Sequence, residues 1–190
     1  MKSKKSTPSK PRILAAIPCF NEALYIGSVV LQTKKYVDEV IVIDDGSTDN
    51  TAEIARAAGA LVIKHRQNYG KGVAVSSAFK EARLRKAEVL VLLDGDGQHN
   101  PAQIPEIIRP LLEKKADAVV GSRFLEAKKF VPKYRTFGQS VLTWITNLGS
   151  PARLTDSQSG FRGFSRKAVE AMDLKETGLS VESEMQLVMR

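Results

Sequence analysis

A chain of 190 residues suits one domain with a sizeable core, and 43% hydrophobic with 26% charged residues is an ordinary globular balance. Much of the +8 formal charge is local: Lys2, Lys4, Lys5, Lys10 and Arg12 stand near the N-terminus with no acid among them, leaving about +3 elsewhere. No stretch approaches the ~20 apolar residues of a membrane span, and the single Cys19 allows no intramolecular disulfide, so a soluble or peripheral chain in a reducing compartment is expected.

Residues 1–11 read as a basic, disordered tail, solvated or drawn to an anionic surface. From there apolar runs alternate with helical spacing. Arg12 to Ile17 predicts a strand and Ala23 to Tyr36 a helix. Glu39 to Ile43 is a β-branched strand running into Asp44 and Asp45, and Asn50 to Ala58 is a helix stopped by Gly59. Leu61 to Lys64 predicts a strand, Gly72 to Lys86 a helix, and Val89 to Leu93 the strongest strand, ending at Asp94. Pro101 opens the next helix, which Pro105 and Pro110 must kink or divide, and Ala118 to Val120 is a fifth strand. Beyond it come a basic loop over Glu126 to Lys133, an amphipathic helix over Tyr134 to Leu148, a polar loop over Ser150 to Ser159, and a short strand over Phe161 to Phe164. Val181 to Arg190 reads as a helix with no stop signal, as in a truncated chain. This alternation predicts an α/β domain with a mostly parallel central sheet and helices on both faces.

In such sheets ligands bind beyond the carboxyl ends of the strands. Three strands end suggestively here: in Pro18, Asn21 and Glu22, in Asp44 and Asp45, and in Asp94 and Asp96. Two carboxylates one residue apart at a strand end repel each other unless a cation joins them, and oxygen ligands of this kind favour Mg²⁺ or Mn²⁺ shared with substrate phosphates. A bare DxD is most often a polar turn, but its place after so apolar a strand, with Asp44 and Asp45 placed alike, favours the metal. Gly95 and Gly97 keep the backbone open to a diphosphate. Asp44 or Asp45 can accept hydrogen bonds from a ribose or base, while Ser47 or Asp49 caps the following helix. The first strand lacks G-x-G-x-x-G, and Gly70-Lys71-Gly72 lacks the phosphate-loop frame, so the phosphates meet a metal rather than a glycine cradle. His99 could be a metal ligand or an acid/base, though a loop histidine is more often solvated or capping; His65 reads as strand-end surface, and Cys19 as a small buried residue rather than a nucleophile.

Taken together, Ile17-Pro18-Cys19-Phe20-Asn21-Glu22, Asp44 to Asp49, Asn68 to Gly72, Asp94 to His99, Gly121-Ser122-Arg123 and Asp156 to Arg162 resemble the family-two inverting glycosyltransferases with the GT-A fold, a Rossmann-like single domain. The likeness is to the branch that transfers mannose or glucose to polyprenyl (dolichyl) phosphate. It implies that residues 12–190 form a catalytic domain, with a nucleotide half over about 12–123 and an acceptor half over about 124–190. Pro18, Asn21 and Glu22 would lie near the nucleotide, Asp44 and Asp45 at its base and ribose, and Lys71 close by. Asp94, Gly95, Asp96 and Gln98 would form the metal and diphosphate site. Arg123 would face phosphate, and Asp156 would stand on the acceptor side with Ser159 and Arg162.

The resemblance implies a nucleotide-diphosphate sugar as donor, Mg²⁺ or Mn²⁺ as cofactor and a polyprenyl phosphate as acceptor. Work at the cytoplasmic face of a membrane with peripheral contact, and no nucleic-acid partner, are expected. An acceptor hydroxyl must lose a proton, which would make Asp156 a general base. A lipid monophosphate, with a second pKa of ~6, needs cations instead, and Lys133 and Arg135 beside Arg123 suit that acceptor. The alternatives are a sugar-hydroxyl acceptor in glycan synthesis and a non-catalytic nucleotide-sugar-binding module.

Overall fold

The computed structural model of the chain describes residues 11–121, 160–174 and 185. In chain order the elements are β1 (Ile13–Cys19), α1 (Ile26–Thr33), β2 (Glu39–Asp44), α2 (Thr51–Ala57), β3 (Leu61–Lys64), α3 (Lys71–Leu84), β4 (Val89–Leu92), a 3₁₀ turn (Pro101–Gln103), α4 (Ile104–Leu112), β5 (Ala118–Val120), β6 (Arg162–Ser165) and α5 (Arg166–Ala171). The strands form one sheet in the order β3-β2-β1-β4-β6-β5. β1 to β4 pair in parallel, whereas β6 runs antiparallel to both β4 and β5. The mostly parallel α/β sheet is therefore as expected, with one reversed strand between β4 and β5.

Period-two alternation explains the layers, since successive strand residues face opposite sides. Ile13, Ala15, Ile17 and Cys19 of β1 point into a core closed by α1, α2 and α4, while Leu14 and Ala16 point into a second core beneath α3 and α5. Every residue of β1 and β4 is buried, which is why both read as continuous apolar runs. In the second core Phe79 of α3 meets Phe164 of β6 edge to face, with centroids 5.0 Å apart.

Several boundaries move, each for a local reason. α1 begins at Ile26 rather than Ala23, because the preceding amides of Glu22 and Ala23 donate instead to the side chains of Thr51 and Asp49. The expected capping of α2 by Ser47 or Asp49 gives way to Asn50 at the cap position. Asp49 stands one residue further out and accepts from the Thr51 amide, and the Ser47 hydroxyl accepts from the Asn21 amide. The proline-rich segment divides: Asn100 caps the 3₁₀ turn that Pro101 opens, α4 restarts with Pro105 in its first turn, and Pro110 falls near its end. β6 starts at Arg162, one residue later than expected. The expected loops over 126–133 and 150–159, the helix over 134–148, the helix over 181–190 apart from residue 185, and the tail up to residue 10 lie outside the described residues.

The register places the site. β1 pairs with β2 as far as Cys19↔Asp44, but with β4 only as far as Ala16↔Leu92. Past that point β1 and β4 diverge, and a crevice opens where the chain order turns from β1–β2 to β1–β4. Pro18 sits on this freed stretch, where a residue without an N–H disturbs no ladder to β4.

Candidate active site

The crevice is a cleft of about 260 Å³ lined by Pro18, Cys19, Phe20, Glu22, Asp45, Asn68, Lys71, Ala74, Asp94, Gly95 and Asp96. Four chain segments thus meet there: the end of β1, the end of β2, the start of α3 and the loop after β4.

On the β4 side, Asp94 is half-buried and doubly held. Lys71 places its ammonium 2.9 Å from one carboxylate oxygen, and His99 Nε2 lies 3.3 Å from the other. Burial alone would push the Asp94 acid up, but His99 and Lys71 outweigh it and hold the carboxyl well below the usual range. Gly160 permits this packing, since a Cβ there would come within 2.6 Å of the Asp94 carboxyl carbon. Asp96 closes a tight turn by accepting the Gln98 amide at 2.9 Å. Glu22 faces the pair from β1. Burial first, and then the charges of Asp96, Asp49 and Asp94, raise its acid above the ordinary range.

On the β2 side the two adjacent aspartates separate. Asp45 lines the cleft and accepts from the amides of Tyr69 at 3.1 Å and Gly70 at 2.8 Å and from His65 Nδ1 at 2.7 Å. Asp44 points away, fully buried. One of its oxygens accepts the Ser47 amide at 2.8 Å; the other accepts no hydrogen bond among the described residues and lies 3.5 Å from the Lys64 ammonium. Asn21 turns its side chain to the Thr48 amide and its own amide to Ser47, tying the β1 and β2 ends together.

Of the residues picked from sequence, the fold therefore gathers Pro18, Glu22, Asp45, Lys71, Asp94, Gly95 and Asp96 in one cleft. Asn21 and Asp44 brace its rim instead. Gln98 lies across the loop in a neighbouring hollow of about 330 Å³ with Tyr25, His99 and Asn100. Gly95 does more than open the backbone: a Cβ there would lie 3.0 Å from that of Cys19, so the β4 loop packs directly on the β1 end. Arg162 is wholly buried at the start of β6, opposite Leu92. Arg123, Lys133, Arg135, Asp156 and Ser159 lie outside the described residues.

Sequence reasoning undervalued both histidines. His65 bridges Asp45 and Ser77 Oγ, 3.0 Å away, rather than lying on the surface. His99 is buried against Phe161 and holds Asp94. Its spacing from the acids was the available signal; for His65 the partner lies on another strand. Cys19 is buried as expected: burial and then the Asp44 charge push its thiol far up, and it donates to the Ile43 carbonyl at 3.7 Å.

A sheet of this order, with a DxD loop leaving its fourth strand beside a cleft at the switch point, has the GT-A architecture of nucleotide-sugar transferases. The chain belongs to glycosyl transferase family 2, whose family model matches residues 15–172. It is 36% identical over 181 residues to the UDP-N-acetylglucosamine–dolichyl-phosphate N-acetylglucosaminyltransferase of Methanococcus voltae, covering 84% of this chain and 72% of that one. It is 30% identical over 174 residues to the undecaprenyl-phosphate mannosyltransferase of Micrococcus luteus, covering 86% and 70%. Among solved structures it is similar to the glucosyl-3-phosphoglycerate synthase of Mycobacterium tuberculosis in complex with Mn²⁺, UDP and glucosyl-3-phosphoglycerate, with TM-score 0.70 and 25% identity, covering 92% of this chain but 63% of that one.

Proposed function

We propose that this chain is the catalytic domain of an inverting, metal-dependent glycosyltransferase that moves a hexose from a nucleotide-diphosphate sugar to a polyprenyl phosphate. The observation that carries this reading is a single cleft lined by the acids Glu22, Asp94 and Asp96 together with Asp45, Asn68 and Lys71. The acceptor class is supported by the dolichyl-phosphate and undecaprenyl-phosphate relatives.

The acidic side fits a divalent ion. Glu22 is raised partly by Asp96 and Asp94, the mutual repulsion that a bound cation relieves. Among the described residues no three side chains of metal-binding type converge into a finished cage. Such a site suits Mg²⁺ or Mn²⁺, which complete their shells with substrate phosphates and water. Asp96 would hold the ion with Asp94 beside it, and Gln98 would serve from across the loop. The ion supplies charge neutralisation at the leaving diphosphate.

The protein's own residues do the rest. Asp45 and Asn68 form the wall that receives the nucleoside. Lys71, reaching Asp94 at the cleft floor, adds positive charge beside the phosphates. The acceptor oxygen bonds to the anomeric carbon from the face opposite the diphosphate. The bond from the anomeric carbon to the diphosphate oxygen breaks as the new one forms, and the diphosphate departs with the electron pair, so the configuration inverts. Arg123, Lys133 and Arg135 would hold a phosphate acceptor, with Ser159 and Asp156 orienting it; Arg162, wholly buried in β6, would act from within the sheet rather than on the acceptor. The domain would work at the cytoplasmic face of a membrane in peripheral contact with it; no helix among the described residues is long and apolar enough to cross one.

A second reading, a hydroxyl acceptor with Asp156 as general base, is favoured by the structural neighbour, which is complexed with glucosyl-3-phosphoglycerate. One assay separates them. The full-length protein, with Mn²⁺ or Mg²⁺ and labelled GDP-mannose or UDP-sugars, should move label into the organic phase with a short-chain polyprenyl phosphate, and chelator should stop it. Transfer to water-soluble hydroxyl acceptors alone would overturn the lipid-phosphate reading.

A further inference from the structure

We infer that His65 is a positioning residue for the donor nucleotide, fixing Asp45 and the Asn68–Lys71 loop from behind the cleft wall. The inference rests on the reading of the cleft as a nucleotide-sugar site.

His65 follows β3 directly, and its amide donates to the Asp44 carbonyl at 2.8 Å, extending the β2–β3 pairing past the last strand residue. This brings the imidazole beside the Asp45 carboxylate, with Nδ1 at 2.7 Å from Oδ1. A carboxylate can only accept, so Nδ1 carries the proton. In the neutral ring Nε2 then accepts from the hydroxyl of Ser77 on α3, 3.0 Å away. Both ring nitrogens are thus committed to different elements, and the ring packs at a steep angle against Tyr69, with ring centroids 5.8 Å apart. The side chain is 12% exposed and does not line the cleft, so it acts through its neighbours.

Those neighbours do line it. Asp45 also accepts from the Tyr69 and Gly70 amides, so one carboxylate joins the β2 end, the β3 end and the loop entering α3. Asn68, Lys71 and Ala74, the cleft residues of that loop and helix, follow from where Asp45 is held. Without the imidazole one side of the Asp45 carboxylate passes to water, and the loop keeps only its backbone bonds. The Asp94 side keeps in His99 a support that does not belong to that loop, and is left in place. The expected consequence is selective: weaker nucleotide binding, with the chemical step unchanged.

The test uses the full-length protein, with calorimetric titration of UDP and GDP and steady-state kinetics on the donor. His65→Ala should raise the nucleotide Kd and donor KM by roughly ten- to hundredfold, the range of a lost charge-assisted hydrogen bond, with kcat and acceptor KM within about twofold of wild type. His65→Asn, which can still donate to Asp45, should recover most of that affinity. Ser77→Ala, which removes only the far anchor, should give a smaller rise in Kd and serves if His65→Ala does not fold. Wild-type nucleotide affinity in both His65→Ala and Ser77→Ala, or a fall in kcat with KM unchanged, would overturn the inference. Failure of the wild-type protein to bind either nucleotide would instead overturn the reading of the cleft itself.

Discussion

On the β2–β3 wall of the cleft, the Asp45 carboxylate is met by two backbone amides and an imidazole that is itself anchored to α3. Across from it, Glu22, Asp94 and Asp96 crowd together, with Lys71 and His99 both engaged by Asp94. The first wall satisfies itself through folding, because its acceptors and donors come from the same local weave. The second gathers three carboxylates, and the Glu22 acid, raised first by burial and then by the charges of Asp96, Asp49 and Asp94, registers their repulsion. On the proposed function, the first wall is a finished surface that recognises, and the second is completed by what binds.

The comparison can be broken in order of expected effect. Asp96→Ala should remove transfer by roughly hundredfold or more while leaving the melting temperature nearly unchanged, because the acidic wall works on bound charge rather than on folding; unchanged turnover would remove the metal from the reading. Gly46→Ala strikes the opposite wall. Its φ is +76°, and a Cβ would lie 2.3 Å from the Gln67 carbonyl carbon, backbone that cannot swing aside. A loss of about 2 kcal/mol is expected, a fall in Tm of roughly 4–8 °C in a thermal melt. Mn²⁺ at ten times its Kd should raise the wild-type Tm by roughly 3–5 °C, with chelator reversing it and Asp96→Ala not responding.

The smallest effect concerns Glu22→Gln. A carboxyl whose acid is raised in the folded state destabilises that state once it ionises. The effect is absent below the unfolded-state value and present as pH rises through the folded one. The amide should therefore raise Tm slightly at neutral pH, and the gain should vanish on acidification into the carboxyl range, measured by melts across pH without metal. A gain that persists at low pH would mean that packing rather than charge is responsible.

The strand–helix order was legible because β1, β4 and the interior of β2 are apolar runs that lead into acids or a proline. The direction of β6 was not. Four residues, Arg162–Ser165, carry no pattern that distinguishes an antiparallel from a parallel partner, and the neighbour they choose is set by the whole sheet. At the site, Asp45, Asp94 and Asp96 were found by their position after strands. Asp44 looked equal to Asp45, yet one step along a strand reverses the face, and Asp44 turned into the interior. His65 was read as surface because its partners, Asp45 and Ser77, come from other elements, and His99 was weighted toward a solvated or capping role because its burial against Phe161 depends on a distant segment.

β5 ends at Val120, paired with Arg162 at the start of β6, and just beyond them the Gly121 amide donates to the Phe161 carbonyl at 2.8 Å. The chain thus departs and re-enters at one gate on the rim of the cleft, however much lies between. Exchanging residues 122–159 for a longer or shorter insert would leave every rung of the sheet in place, and closing a loop of different length changes the free energy only logarithmically. The arrangement behaves as an interchangeable head on a fixed handle: lineages can vary the segment between Val120 and Phe161 without rebuilding the sheet that carries the cleft.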